Sequence, residues 1–422
     1  MRGTLFFLYR ILTCVVFLVW ANSRRGAKPG AALPILGERD FLGPLDWWFH
    51  AASAGELESL APLIQEAALR GEVFAVSIFS RSAEAPLLRL QAELRSGTNS
   101  AFVMKCGYSP AEGRWGPALS RARPKRWVTA KYEAWPDVWI SCVKLGVPIA
   151  VVGAKPRAAL SISAAASRLL AGKVPQVYLI PFLSEDLDAL RVAFPWAKRI
   201  ELGSDPRWDR VFVRAQRSHS RAEFIWALVR SRSSGPFGVL AQVWPEDLEI
   251  WRGALAQVPG TFVVFPHSIE PEVLQVLENS LRAEGVRVFR TAGLQDLPEE
   301  APHGEAEIWL VNEIGFLAEF YAKADWVFVG GGFGAGVHST LEPAAFGLPI
   351  AAGPARADKF PEISLLLSRG QLTLVAGTTE LRAWLGTRPW EGGISRRAEW
   401  KAALPRPGES TQRLRAVLET LP

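Results

Sequence analysis

Two short stretches of this chain combine side chains that could do chemistry with turns that could position them. The first is Trp47-Trp-Phe-His-Ala-Ala-Ser-Ala-Gly-Glu-Leu-Glu-Ser59. It reads as a strand, a turn of small residues and a helix. Ser53, Ala54 and Gly55 keep the turn tight, and Glu56 falls at the helix start, by the carboxyl end of the strand. A carboxylate there could take a proton from an attacking hydroxyl. Position alone equally allows that it only complements the helix dipole. Glu58, two places along the helix, points elsewhere. The second stretch runs from Val327 to Pro354, a buried strand, a glycine turn, a helix and a second buried strand. Glycines from Gly330 to Gly336 would let backbone come close to a ligand. A helix expected to start near Ser339 would aim free N–H groups and a positive dipole end at it, which suits a phosphate. Glu342, in the first turn, could reach a ribose hydroxyl.

Four lesser segments add candidates. Tyr132-Glu-Ala-Trp-Pro-Asp137 opens a helix, with Pro136 suited to its first turn; Glu133 is either a site carboxylate or a helix-terminus partner. In Gly203-Ser-Asp-Pro-Arg-Trp-Asp209, Arg207 offers a guanidinium that grips carboxylate or phosphate through two bonds, or a surface ion pair. Phe265-Pro-His-Ser-Ile-Glu270 follows a strand and presents Pro266 and His267. Asn312-Glu-Ile-Gly-Phe-Leu317 makes a further turn. Asp186-Leu-Asp188 looks like a metal motif but lies inside a helical pattern and reads as solvated surface. Cys14, Cys106 and Cys142 have no metal spacing and imply no disulfide framework.

The elements that must hold these residues alternate short apolar strands with helical patterns, which predicts an α/β fold with parallel sheets. The chain has 422 residues, enough for two domains. Strands are expected at Asp46–His50, Val73–Ile78, Ala101–Met104, Trp127–Thr129, Pro148–Val152 and Gln176–Ile180, and again at Phe237–Gln242, Thr261–Phe265, Val286–Arg290, Ile308–Val311, Trp326–Val329 and Pro349–Ala352. Helices are expected between them, including Gly55–Arg70, Ala85–Arg95, Trp135–Leu145, Glu246–Ala256 and Glu270–Glu284. The boundaries read as an anchor over 1–22, a tether over 23–44, an amino-terminal domain over 45–212 and an Arg- and Ser-rich linker over 213–235, in which a helix is expected at Ala222–Val229. A second domain over 236–405 and a final amphipathic helix over 406–422 complete the chain. Ligands of such folds bind at the carboxyl ends of the strands.

Composition narrows the partners. A net charge of +6 suits an anionic lipid surface, a phosphorylated substrate or a nucleic acid, and no nucleic-acid motif is present. The 17 tryptophans suit places apolar at one end and wet at the other, membrane surfaces included. Leu5 to Ala21 is almost wholly apolar apart from Arg10 and Thr13, and Arg24, Arg25 and Lys28 follow. The reading taken is a single signal-anchor with its basic flank inside. An interfacial helix or a cleaved signal peptide are the alternatives.

In order along the chain, these segments resemble the Kdo transferases of lipopolysaccharide synthesis (3-deoxy-D-manno-octulosonic acid transferases), members of the GT-B glycosyltransferases. The family carries His-Ala-x-Ser-x-Gly-Glu where this chain has His50, Ser53, Gly55 and Glu56, and Glu-x-Trp-Pro-Asn where it has Glu133, Trp135 and Pro136. The resemblance implies a GT-B fold, two Rossmann-like domains with a cleft between them, and an anchor on the cytoplasmic face of the bacterial inner membrane. It implies inverting transfer of Kdo from CMP-Kdo to a lipid A precursor with no metal and no cofactor. Glu56 becomes the base, with Glu133 and Arg207 assisting and His50, Ser53 and Gly55 on the acceptor side. Pro266, His267, Ile314, Gly315, Gly332, His338, Ser339, Thr340, Leu341 and Glu342 become the CMP site. Membrane lipids are expected partners, met by a Trp-rich, basic surface of the first domain. The chain departs from the family at Asn312, Phe316 and Ser339, where relatives have Asp, Glu and Asn. A GT-B enzyme for another nucleotide sugar, or an inactive nucleotide- or lipid-binding relative, are the competing readings.

Overall fold

The computed structural model describes residues 44–97, 115–131, 133–215, 219–232, 235–255, 260–292 and 307–422. The anchor, nearly all of the tether and the strand expected at 101–104 lie outside the described residues. Among those described, no helix is long and apolar enough to cross a membrane. The chain divides into two compact units, residues 1–209 with 408–422, and residues 210–407.

The first unit is built on a six-stranded, wholly parallel sheet. Its strands are β1 (Trp47–Ala51), β2 (Phe74–Ile78), β3 (Arg126–Ala130), β4 (Ile149–Val152), β5 (Val177–Ile180) and β6 (Arg199–Ile200), in the order β2-β1-β3-β4-β5-β6. All five residues of β1 are buried, as a parallel strand covered on both faces should be. Side chains alternate across it. Trp47, Phe49 and Ala51 join the core under the helix Ala54–Leu69. Trp48 points the other way, into a core with Trp115, Trp127 and Trp139. Trp48, Trp115 and Trp127 sit with ring centroids 5.3–6.1 Å apart. This overturns the expected Trp-rich membrane face: no described tryptophan is exposed, and the aromatic surplus fills the cores.

The second unit holds a seven-stranded parallel sheet, β7 (Phe237–Val243), β8 (Thr261–Pro266), β9 (Arg287–Arg290), β10 (Glu307–Leu310), β11 (Trp326–Val329), β12 (Ile350–Ala352) and β13 (Leu372–Leu374), ordered β13-β12-β11-β7-β8-β10-β9. The expected strands outside 101–104 are present, most within a residue or so of their predicted bounds. Two further strands, β6 and β13, are two and three residues long at sheet edges. The helix expected over Glu246–Ala256 is instead one turn, Pro245–Leu248, followed by a 3₁₀ turn over Glu249–Trp251. The stretch expected as linker carries the helix Ser220–Arg232, bound to the second unit by Arg232 with Glu307 and Arg221 with Glu313.

The last helix, Glu409–Glu419, belongs to the first unit. Leu414, Leu418 and Leu421 enter the core beside Trp47 and Phe49. Buried Arg415 bonds Glu72 and Glu419 and lies over the Trp47 ring. Asp209 accepts the backbone N–H of Gly408 at 2.8 Å and of Thr411 at 2.6 Å, filling donors that a helix start leaves open.

Candidate active site

In the first unit the structure gathers two carboxyls and one cation at the carboxyl ends of β1 and β3. Ser53 adopts an extended conformation (φ −138°, ψ 166°) and starts the helix Ala54–Leu69, but its hydroxyl makes no cap. Glu56 does the capping: its Oε2 accepts the N–H of Ala52 at 2.6 Å. The helix-terminus role weighed from sequence is therefore real, and it fixes the carboxyl in place. A Cβ on Gly55 would meet nothing within 4 Å, so the fold does not require that glycine and leaves the surface beside Glu56 bare.

Glu56 is only 6% exposed. Burial first, and then the charge of Glu133, push its pKa up from 4.5 to about 8. Burial raises Glu133 to about 7, against a hydrogen bond from the Trp135 indole N–H. Two buried carboxyls that repel each other titrate as a unit. The cation that favours ionised Glu56 is Lys131. It follows β3 directly and holds a left-handed conformation at φ +58°, an unusual one for a residue with a side chain.

Two expected members of this site stand elsewhere. His50 is fully buried; its Nδ1 lies 2.8 Å from Ser77 Oγ and its ring packs on Trp115 and Trp127. Burial drops its pKa to about 3, so it is neutral, and Nε2 lies 4.0 Å from Glu133 Oε2. It backs Glu133 from inside the core and does not meet an acceptor. Arg207 is gripped by Asp205, whose two oxygens lie 3.0 and 3.1 Å from Nε, with a further bond of 2.6 Å from Nη2. Both side chains are nearly buried, at 12% and 8% exposure. The motif Gly203–Asp209 is thus an anchorage, with Asp205 holding Arg207 and Asp209 holding the last helix.

In the second unit the expected donor residues cluster at the carboxyl ends of β7, β8 and β11. β7 is irregular between Leu240 and Val243, and Gln242 has φ +54°; such strain gathers at functional sites. Trp244 follows. Its indole N–H donates to His338 Nε2 at 3.0 Å, and its ring stacks on His267 at 4.1 Å. His267 stacks on His338 at 4.7 Å. Burial and the neighbouring His267 lower His338 to about 4, so it is neutral near pH 7. With Nε2 accepting, Nδ1 carries its proton and remains a donor. Asp247, fully buried, accepts the N–H of Trp244 at 2.8 Å and of Gly331 at 2.7 Å, tying the β7 turn to the glycine loop. Sequence reasoning missed Trp244, Asp247 and Lys131. Trp-Pro-x-Asp at the end of a predicted strand is a helix-start pattern that could have flagged Asp247; nothing flagged the other two.

The glycine loop serves the protein's own chain more than expected. A Cβ on Gly332 would stand 2.5 Å from Gly353 Cα, and one on Gly330 would stand 2.5 Å from the Gln242 carbonyl oxygen. Gly331 and Gly336 need their positive φ values of 85° and 113°. The helix expected to start near Ser339 is the five-residue turn Leu341–Ala345, with Thr340 at its start, because Pro343 and Gly347 leave no room for more. Ser339 is exposed and Thr340 buried without a hydrogen-bond partner for its hydroxyl. The Leu341 side chain is in the core, so only its backbone could meet a ligand. Glu342 pairs with Arg214 at 2.9 Å. Pro266 ends β8, with the His267 N–H bonded to Val243 O. Ile314 is 78% exposed and Gly315 turns the chain at φ +110°. Their neighbours are committed to the fold: Asn312 Oδ1 accepts the Ala292 N–H at 2.7 Å, and Phe316 packs on Phe265 and Phe320. Among the described residues no cluster of His, Cys, Asp and Glu could hold a metal ion.

Residues 22–188, the stretch that carries Glu56 and Glu133, match the family described as 3-deoxy-D-manno-octulosonic-acid transferase (kdotransferase). Curated relatives extend the match into the second unit. The 3-deoxy-D-manno-octulosonic acid transferase of Chlamydophila psittaci is 24% identical over 343 residues, 78% of this chain and 73% of its own length. Over these stretches this chain is similar to the Kdo transferases. The Bordetella pertussis member is 25% identical over 328 residues, 73% of this chain and 71% of that protein. The chain has the expected two Rossmann-like domains with parallel sheets. A solved UDP-GlcNAc 2-epimerase from Neisseria meningitidis shares that fold, with a TM-score of 0.57 over 89% of this chain and 99% of the other at 12% identity.

Proposed function

We propose that this glycosyltransferase moves Kdo from CMP-Kdo to a phosphorylated lipid A precursor at the cytoplasmic face of the inner membrane, with inversion and without metal. The observation that carries the reading is the buried pair Glu56 and Glu133 at the carboxyl end of the first sheet. A general base works best with a pKa near the working pH, and burial brings Glu56 there. Ionised Glu56 takes the proton of the acceptor hydroxyl as its oxygen bonds the anomeric carbon. The bond from that carbon to the phosphate oxygen breaks on the opposite face, and CMP leaves with the electron pair. Lys131 steadies the ionised carboxylate before the step. The departing phosphate is met by neutral donors, the Nδ1–H of His338 and backbone N–H groups of the glycine loop, whose aim is set by Asp247 and Trp244.

A second reading, transfer from another nucleotide sugar, is favoured by one observation. Phe316 packs inside the fold and Asn312 Oδ1 is taken by the Ala292 N–H, so neither offers a donor the carboxylate that relatives carry there. The test is to incubate the full chain with a tetra-acylated lipid A precursor and CMP-Kdo, and in parallel with UDP- and GDP-sugars, and weigh the lipid product. A gain of one or more Kdo units, with inverted anomeric configuration by NMR, is the expected result. A gain only with UDP- or GDP-sugars overturns the donor assignment.

A further inference from the structure

The glycine loop of the second unit is built of backbone and brings no charge to a phosphate, and His338 beside it is neutral near pH 7. Arg214 reaches the same turn, but Glu342 holds it at 2.9 Å. A further cation is fixed against the loop. Arg356 stands in the segment 353–356 that follows β12, and that segment is bonded to the loop in both directions. The Ala355 N–H donates to Gly332 O and the Val337 N–H to Ala355 O, each at 3.0 Å. The stem of Arg356 lies across Gly336, where an added Cβ would stand 2.8 Å from Arg356 Cδ and 3.3 Å from its Cβ. The Gly336 N–H donates to Gly331 O at 2.8 Å. Gly331 abuts the His338 ring, with an added Cβ 2.9 Å from His338 Cδ2. Arg356 and His338 therefore flank one closed turn.

Two features set Arg356 apart from arginines that serve the fold. Its backbone is left-handed at φ +58°, a conformation disfavoured by a side chain and one that gathers at ligand sites. Arg221, Arg232 and Arg397 of the same unit are each paired with a carboxylate. Arg356 is exposed, and among the described residues its guanidinium has no hydrogen-bond or ion-pair partner.

We propose that Arg356 is a donor-binding residue whose guanidinium grips the phosphate of the nucleotide sugar seated on the glycine loop. A guanidinium fork matches two phosphate oxygens. When the bond from the anomeric carbon to the phosphate oxygen breaks, the electron pair stays on that oxygen and the phosphate goes from one negative charge to two. A cation already in place then stabilises the leaving group more than the bound donor. The inference rests on the reading of this loop as the donor site and is independent of the base the donor carries.

The test is calorimetric titration of the full chain with CMP, UMP and GMP, and with cytidine, uridine and guanosine. Wild type is compared with Arg356→Gln and Arg356→Lys. Arg282→Gln is the control, removing the same charge from the far end of the helix Pro271–Arg282. Arg356→Gln should weaken the preferred nucleotide on the order of 10- to 100-fold, the worth of hydrogen bonds between charged groups, and leave its nucleoside unchanged. Arg356→Lys should recover part of the loss, and Arg282→Gln should match wild type. Preference for UMP or GMP would change the donor assignment and leave Arg356 to be judged on that nucleotide. If wild type binds no nucleotide at millimolar concentration, the donor-site reading falls and the proposal with it. If wild type binds and Arg356→Gln binds as tightly, or loses nucleotide and nucleoside alike, the role of Arg356 alone is overturned.

Discussion

Replacing Glu56 by Gln should make the protein more stable while removing its base. The native state holds the Glu56 proton more tightly than the unfolded chain, with a pKa of about 8 against 4.5. A buried carboxyl raised in this way binds more protons folded than unfolded between those values. Stability therefore falls as pH rises from about 4.5 to about 8. The full shift would correspond to about 5 kcal/mol. Sharing of the proton with Glu133 and relaxation around the charge reduce the expected penalty to roughly 2–3 kcal/mol. Glu56→Gln keeps an acceptor for the Ala52 N–H and cannot ionise, so it escapes the penalty. The assay is a urea series at pH 5 and pH 8.5, read by pulsed hydrogen exchange on peptides from β1 and β3, which isolates the first unit. At pH 8.5 the variant should be more stable by roughly 2–3 kcal/mol, and at pH 5, close to the unfolded pKa, by only about 0.8 kcal/mol. Equal stability at both pH values would refute the account of a carboxyl held in the wrong solvent.

Other consequences follow from the anchorages and the donor side. Arg207→Gln strands buried Asp205, so it should cost about 3 kcal/mol in melting experiments and lower activity through unfolding, with kcat per folded molecule little changed. Trp244→Phe keeps the stack on His267 but frees His338 Nε2. Calorimetric titration should show CMP affinity falling about tenfold, near the worth of one hydrogen bond to a polar ligand group. Gly332→Ala drives a methyl into Gly353, and CMP binding should be lost while circular dichroism shows both helix and strand retained. Asp209→Ala releases two backbone donors at the start of the last helix and should speed hydrogen exchange over residues 408–419, at a cost of about 1–2 kcal/mol.

Much of the fold was legible because parallel strands buried on both faces leave near-continuous apolar runs, such as Val73–Ile78 and Trp326–Val329. β6 and β13 were not, because two or three edge residues carry no period. The carboxyl pair was legible as motif and position, but its electrostatics were not. The charge that raises Glu56 beyond its burial is Glu133, a residue of another strand's end far along the chain. Composition suggested a tryptophan surface, and the residues are instead stacked inside, since a count cannot tell a core from a boundary. His50 and Arg207 were misplaced for a related reason. A histidine on a strand and an arginine after a proline say nothing about which partner is nearer, and here Ser77 and Asp205 are. Trp244 was invisible because its role depends on a hydrogen bond to a residue 94 positions away.

The most direct test of the central claim is the rate of CMP release from CMP-Kdo, with and without the tetra-acylated lipid A precursor, for wild type and Glu56→Gln at equal CMP occupancy. The account predicts acceptor-dependent release in the wild type that falls by about 10²–10⁴ in the variant, with CMP binding unchanged. Release that persists in Glu56→Gln, or that never depends on the acceptor, would contradict it.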